Sequence, residues 1–169
     1  MARYRLRQRL ISIGEDYDIE DQHGRRVFHV DGQLLHIRET FVMTDLQGDE
    51  VATIKQKLLA LRESMTIERG GETIATIRKA WIAPFRDKFV IEAPGKDMVA
   101  QGSILEHEYH IKRGGETVAQ ISKRWFTIRD TYGIDIDDGE DDALILAIAV
   151  AIDEMAHDRD EDHQGHERD

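Results

Sequence analysis

Asp141-Asp-Ala-Leu-Ile-Leu-Ala-Ile-Ala-Val-Ala-Ile-Asp-Glu-Met155 decides the fold. From Ala143 to Ile152 ten apolar residues run without a break, so a helix here is apolar on every face. A membrane span takes roughly 20 such residues. A shorter helix of this kind must instead be buried inside protein on all sides. Asp141 and Asp142 suit its first turn, where the helix dipole favours negative charge. The pattern predicts one helix over about 140–156. The small side chains Ala143, Ala147, Ala149 and Ala151 suit a narrow interior.

The residues before this helix read as what surrounds it. Ile67-Glu-Arg-Gly-Gly-Glu-Thr-Ile-Ala-Thr-Ile-Arg-Lys-Ala-Trp81 returns 44 residues later as Ile111-Lys-Arg-Gly-Gly-Glu-Thr-Val-Ala-Gln-Ile-Ser-Lys-Arg-Trp125. Each copy predicts a strand, an Arg-Gly-Gly-Glu turn and a second strand. Gly24, Gly48, Gly71, Gly95 and Gly115 mark hairpins at steps of 24, 23, 24 and 20 residues, with Gly32 and Glu106 as turns between hairpins. Regular short strands with turn signals indicate an antiparallel sandwich or barrel. About twelve strands are predicted: 3–11, 15–20, 26–31, 33–37, 39–45, 51–57, 62–68, 73–80, 86–93, 97–103, 106–112 and 117–124, with irregular or extended structure over 125–136. A mainly β (α+β) fold follows, an antiparallel barrel wrapped around the buried C-terminal helix. The structural alternative is a sandwich with the helix plugging one end. One domain over 1–156 is expected, and 157–169, which has no apolar periodicity, reads as an acidic disordered tail.

The net charge of −11 is unevenly spread: residues 135–142 carry −6, residues 153–169 carry −6, and residues 1–134 carry +1. A neutral body with an acidic C-terminal part argues against nucleic acid as a partner. There is no cysteine, which excludes disulfides, thiolate nucleophiles and Cys-based metal sites. No apolar signal-peptide core opens the chain, so a cytoplasmic location, without a transmembrane segment and as a monomer, is the expectation.

The residues also resemble a known family. Lys57-Leu-Leu-Ala-Leu-Arg62, the Gly-Gly-Glu hairpins, Lys123-Arg-Trp-Phe126, Asp130-Thr-Tyr-Gly-Ile134 and the closing acidic-then-apolar helix are similar in kind and order to the LURP-one-related (LOR) family. So are Tyr4-Arg-Leu-Arg-Gln-Arg-Leu10 and the stretch from Asp16-Tyr-Asp-Ile19 to Val30-Asp-Gly32. The resemblance covers residues 3 to about 156. It implies kinship with tubby-like proteins and phospholipid scramblases, and hence a twelve-stranded barrel around a central helix. It implies no catalytic residues. The relatives suggest lipid-linked roles: tubby-like domains bind phosphoinositides through basic residues, and scramblases carry a calcium-linked acidic segment before the buried helix. This chain lacks the proline of that segment and spaces its acids differently.

Two constellations are candidate sites. Arg3, Arg5, Arg7 and Arg9 alternate, so in a strand they share one face and could dock phosphates or anionic headgroups. Lys55 and Lys57 could extend that patch. The structural alternative is a solvated outer face paired across strands to acids. The second candidate is the acidic segment 130–142, with Asp130, Asp135, Asp137 and Asp138 as oxygen ligands for a weakly held calcium ion. Its alternative is helix capping plus a solvated turn. No other cofactor is expected. His107 and His110 point to opposite faces of a strand, and no Gly-x-Ser-x-Gly elbow, phosphate-binding loop or dinucleotide fingerprint occurs. Trp81, Trp125 and Phe126 read as barrel core or rim. The function expected is therefore a non-enzymatic surface-binding module, for phospholipid or anionic headgroups. The alternatives are a protein-interaction scaffold or a divalent-cation-dependent protein using 130–142. In the first case the acidic tail would oppose docking or fold across the arginine row.

Overall fold

The computed structural model describes residues 1–11, 14–35, 38–57, 64–80, 87–103, 106–123 and 131–164. Twelve strands precede one helix: β1 Ala2–Ile11, β2 Gly14–Asp21, β3 Arg26–Leu35, β4 Arg38–Thr44, β5 Glu50–Gln56, β6 Ser64–Arg69, β7 Glu72–Ala80, β8 Asp87–Glu92, β9 Met98–Ser103, β10 Glu108–Arg113, β11 Glu116–Ser122, β12 Thr131–Ile136 and α1 Asp142–Gln164. Each strand pairs antiparallel with the next, and β12 closes on β1. Closure removes the unpaired edges that an open sheet must protect.

The strand count is as expected, but two assignments differ. The segment 26–31 and the described part of 33–37, up to Leu35, are one strand, β3, in which Gly32 pairs with Phe41 instead of turning the chain. Glycine permits a turn without requiring one. Here the Gly32 N–H donates to Asp16 Oδ1 at 3.2 Å. The twelfth strand is Thr131–Ile136, within the stretch read as irregular or extended. Tyr132, Ile134 and Ile136 alternate inward there, a pattern blurred by Gly133 and Asp135 between them. The Arg-Gly-Gly-Glu turns are as read. Gly70 and Gly71 have φ of 59° and 82°, and Gly114 and Gly115 have 57° and 88°. Two consecutive positive φ values are what the tight two-residue hairpin turn demands.

The apolar run is buried as its composition requires. Every residue from Leu144 to Ile152 is at most 5% exposed. The inner wall that closes on it includes Leu6, Ile19, Val30, Met43, Ile54, Ile67, Ile77, Ile91, Ile111, Ile121 and Ile134, all fully buried. Each such aliphatic side chain contributes about 1.5–3 kcal/mol on leaving water. Alanines on both partners (Ala147, Ala149 and Ala151 on α1, Ala52, Ala75, Ala100 and Ala119 on the wall) let the sheet close tightly.

The helix itself is longer than expected, running to Gln164 and not ending near 156. No glycine or proline interrupts the chain between Ala156 and Gly165, and Glu, Arg and Gln are good helix formers. Polarity alone does not end a helix. The expected disorder of 165–169, and Trp81, Trp125, Phe126 and Asp130, lie outside the described residues.

In an up-and-down barrel the hairpins after even-numbered strands share one end. That end holds the β2–β3, β4–β5, β6–β7, β8–β9 and β10–β11 turns and the β12–α1 turn. So α1 enters the barrel at the glycine hairpins and leaves at the opposite end.

Candidate functional site

The arginine row lies on the outer face of β1, flanked by acids on both neighbouring strands. Arg3 is opposite Asp135 of β12 and grips it with two hydrogen bonds of 2.7 Å. Arg5 reaches Glu20 of β2 at 3.3 Å, Arg7 lies 4.0 Å from the same carboxylate, and Arg9 pairs with Asp18 at 2.8 Å. Asp18 also meets Arg26 at 3.7 Å and His29 Nδ1 at 3.0 Å on β3. The row is thus one side of a cross-strand ion-pair ladder. Arg3 and Arg9 keep 55% and 57% of their side chains open to solvent. Lys55 does not extend the row. It sits on β5, four strands away, and pairs with Glu68 at 2.6 Å. Lys57 is exposed just beyond β5.

The acidic segment forms a clamp. Glu140 accepts two bonds from Arg113, at 2.7 and 2.6 Å, and Asp141 accepts two from Arg69, at 2.7 and 3.1 Å. Arg69 and Arg113 are the same position of the 44-residue repeat, at the last strand residue before each Gly-Gly turn. The two repeated hairpins therefore hold two consecutive acids at the mouth where the helix enters. Asp141 is also the helix cap, taking the Leu144 N–H on Oδ1 at 3.1 Å. Asp142 accepts from Tyr4 Oη at 2.5 Å, and Asp138 meets the Met1 amino group. The Arg113 hydrogen bonds hold the Glu140 carboxyl below its usual range, and Arg69 does the same for Asp141.

Of the proposed calcium ligands, Asp135 faces Arg3, Asp137 is exposed with its N–H bonded to Val118 O at 3.0 Å, and Asp138 is at the amino terminus. Among the described residues no three His, Asp or Glu side chains are placed to share a metal ion. The clamp was missed in sequence because the acids were weighed as a group. The signal for it was the repeat, which keeps an arginine at the equivalent place in both copies.

At the exit end the inner wall turns polar. Asp153 and Glu154 of α1 are buried. Tyr17 Oη meets Asp153 at 3.0 Å and also Glu154, and His107 Nε2 meets the other Asp153 oxygen. The His107 ring lies against Tyr132 with centroids 4.5 Å apart. Among the described residues His107 alone, glycines aside, has a positive φ, 52°. Burial pushes the Tyr17, Tyr109 and Tyr132 hydroxyls well above the ordinary tyrosine range, and the nearby Asp153 adds to it in each.

A groove of about 420 Å³ crosses the outer wall over β8, β9 and β10. Val90 and Val99, paired across β8–β9, line it together with Lys88, Gln101 and Lys112. Glu92 there is paired with Arg78, and Asp97 takes the Ala93 N–H at 2.9 Å. Among the described residues neither Lys88 nor Lys112 has an ion-pair partner.

The family model for LURP-one-related proteins matches residues 2–153. A crystal structure of a protein from Arabidopsis thaliana is similar, with a TM-score of 0.65 and 16% identity over 92% of this chain and 91% of that one. At that identity the likeness shows a shared fold. No curated protein sequence matches the chain.

Proposed function

This chain belongs to the LURP-one-related family, and on that premise we propose that it is a non-enzymatic binding module that meets its ligand on the outer wall of a tubby-like barrel. The observation that carries this is α1, which occupies the barrel axis with every residue from Leu144 to Ile152 at most 5% exposed. Small-ligand barrels keep their site in an open interior or mouth. Here that volume is side chains, so recognition falls to the outside.

Two ligand classes compete for the wall. Anionic phospholipid headgroups are favoured by Arg3 and Arg9, whose side chains stay more than half open to solvent and could trade a carboxylate for a phosphate. Opposing it, each cation near an anionic surface contributes only about 1 kcal/mol, and the whole chain carries −11. A protein segment is favoured by the β8–β10 groove, which is concave, apolar along its floor and mixed in charge at its rim.

Vesicle flotation over a neutral-to-anionic lipid series, with and without calcium, tests both. Flotation that needs anionic lipid and is lost in Arg5→Glu/Arg7→Glu assigns the headgroup reading to the β1 row. Calcium dependence would bring 130–142 into the mechanism. Flotation indifferent to every outer-wall charge reversal would sink the outer-wall reading, and no flotation at all leaves the protein-segment reading.

A further inference from the structure

We propose that the β8–β10 groove takes the acidic C-terminal segment, residues 158–169, of a second copy of this chain. The proposal rests on the protein-segment reading and names its partner.

Three observations converge on that occupant. Lys88 and Lys112 are half-buried along an apolar floor of Val90 and Val99, and among the described residues neither has an ion pair. The arginines of β1 and Lys55 are already matched to carboxylates, whereas in the groove Glu92 is taken up by Arg78 and Asp97 by the Ala93 N–H, which leaves Lys88 and Lys112 to meet a further acidic segment. The chain itself supplies an acidic segment: Asp158, Asp160, Glu161, Asp162, Glu167 and Asp169 stand against Arg159 and Arg168.

Geometry makes the contact intermolecular. Residues 157–164 continue α1, so they rise about 12 Å along the helix axis beyond Ala156, which is buried in the barrel. That direction is away from the wall on which the groove lies. The four acids from Asp158 to Asp162 are on the helix and cannot turn back. A second molecule has no such restraint. The same geometry argues against the tail folding across its own arginine row.

The test uses the full-length chain and a labelled peptide of residues 157–169. Fluorescence anisotropy at low salt should show saturable binding, weakened at least about tenfold by 0.5 M salt, because exposed ion pairs are screened. Binding should fall by a similar factor in Lys88→Glu/Lys112→Glu and stay unchanged in Arg5→Glu/Arg7→Glu. Sedimentation of the full chain should show concentration-dependent association, lost in Lys88→Glu/Lys112→Glu and in a chain with Asp158→Asn, Asp160→Asn, Glu161→Gln and Asp162→Asn. Circular dichroism checks that each variant folds. Peptide binding indifferent to the lysine reversals overturns the proposal. So does absence of both peptide binding and self-association. Lysine-dependent flotation on anionic vesicles with no peptide binding also overturns it, while leaving the outer-wall reading standing.

Discussion

At its entrance α1 is held by charges that keep contact with water, and at its exit by charges that have almost none. Arg69 and Asp141 are 40% and 30% exposed, whereas His107 and Asp153 are 16% and 1% exposed. The two ends use the same chemistry, a cation or N–H donor against a carboxylate, with different consequences. An exposed pair that is broken lets water replace the lost partner, so it contributes modestly. A buried pair that is broken strands the survivor, and that costs several kcal/mol even when the intact pair adds little net stability. The entrance fixes where the helix begins. The exit penalises any arrangement in which the helix is not seated.

The largest expected effect breaks the exit wall itself. Gly102 pairs with Tyr109 at φ +146°, and an added Cβ would lie 2.4 Å from the Glu108 carbonyl oxygen and 2.7 Å from Tyr109 Cα. Both are backbone atoms that cannot step aside. Gly102→Ala should cost about 3 kcal/mol or more, lowering the melting midpoint by roughly 10 °C. Gly70→Ala, where nothing lies within 4 Å but φ is also positive, should cost about 1 kcal/mol. Equal losses at the two sites would remove the distinction between a crowded wall and an open hairpin.

Next comes His107→Ala, which removes a donor from a buried carboxylate. A loss of about 2–3 kcal/mol is expected, less whatever strain the left-handed backbone of His107 releases. Amide exchange should speed up around Asp153 while the entrance turn stays protected. Uniform deprotection along α1 would show that the two ends open as one unit.

How much of this was legible in sequence follows from how local each signal is. Ten apolar residues in a row announce their burial by themselves, but the choice between a barrel and a sandwich around them stays open until β12 is seen to pair with β1. Tyr132, Ile134 and Ile136 form a strand whose alternation is diluted by Gly133 and Asp135, and Gly32 looks like a turn until its partner Phe41 is known. The clamp was half legible: Arg69 and Arg113 stand at the same place in the repeat, but only three dimensions put both beside Glu140 and Asp141. The exit cluster was not legible at all. Asp153 and Glu154 look like the polar end of a helix, and their partner Tyr17 is 136 and 137 residues away.

The entrance should show its own pH signature. Glu140 and Asp141 are held below the usual carboxylate range by Arg113 and Arg69. A carboxyl lowered on folding contributes fully above its unfolded pKa of about 4 and loses that contribution as pH falls through the folded value. Thermal stability should therefore drop on acidification below about pH 4.5, and Arg69→Ala/Arg113→Ala should flatten that drop while lowering stability at pH 7 by about 1–2 kcal/mol. An unchanged slope would mean that other carboxylates dominate acid unfolding.

The smallest effect separates the two tasks of one side chain. Asp141 caps α1 through Oδ1 and pairs with Arg69 through both oxygens. Asn is as good a cap as Asp, so Asp141→Asn keeps the bond to the Leu144 N–H and loses only the charge. It should cost under about 1 kcal/mol, whereas Asp141→Ala, which loses both, should cost about 1 kcal/mol more. In an Arg69→Ala background Asp141→Asn should be nearly neutral, because the charge then has no bidentate partner, while Asp141→Ala should retain its capping loss. If Asn and Ala prove equally damaging with Arg69 present, the carboxylate acts through Arg69 alone. The hairpin repeat would then be what holds the helix entrance, with capping incidental to it.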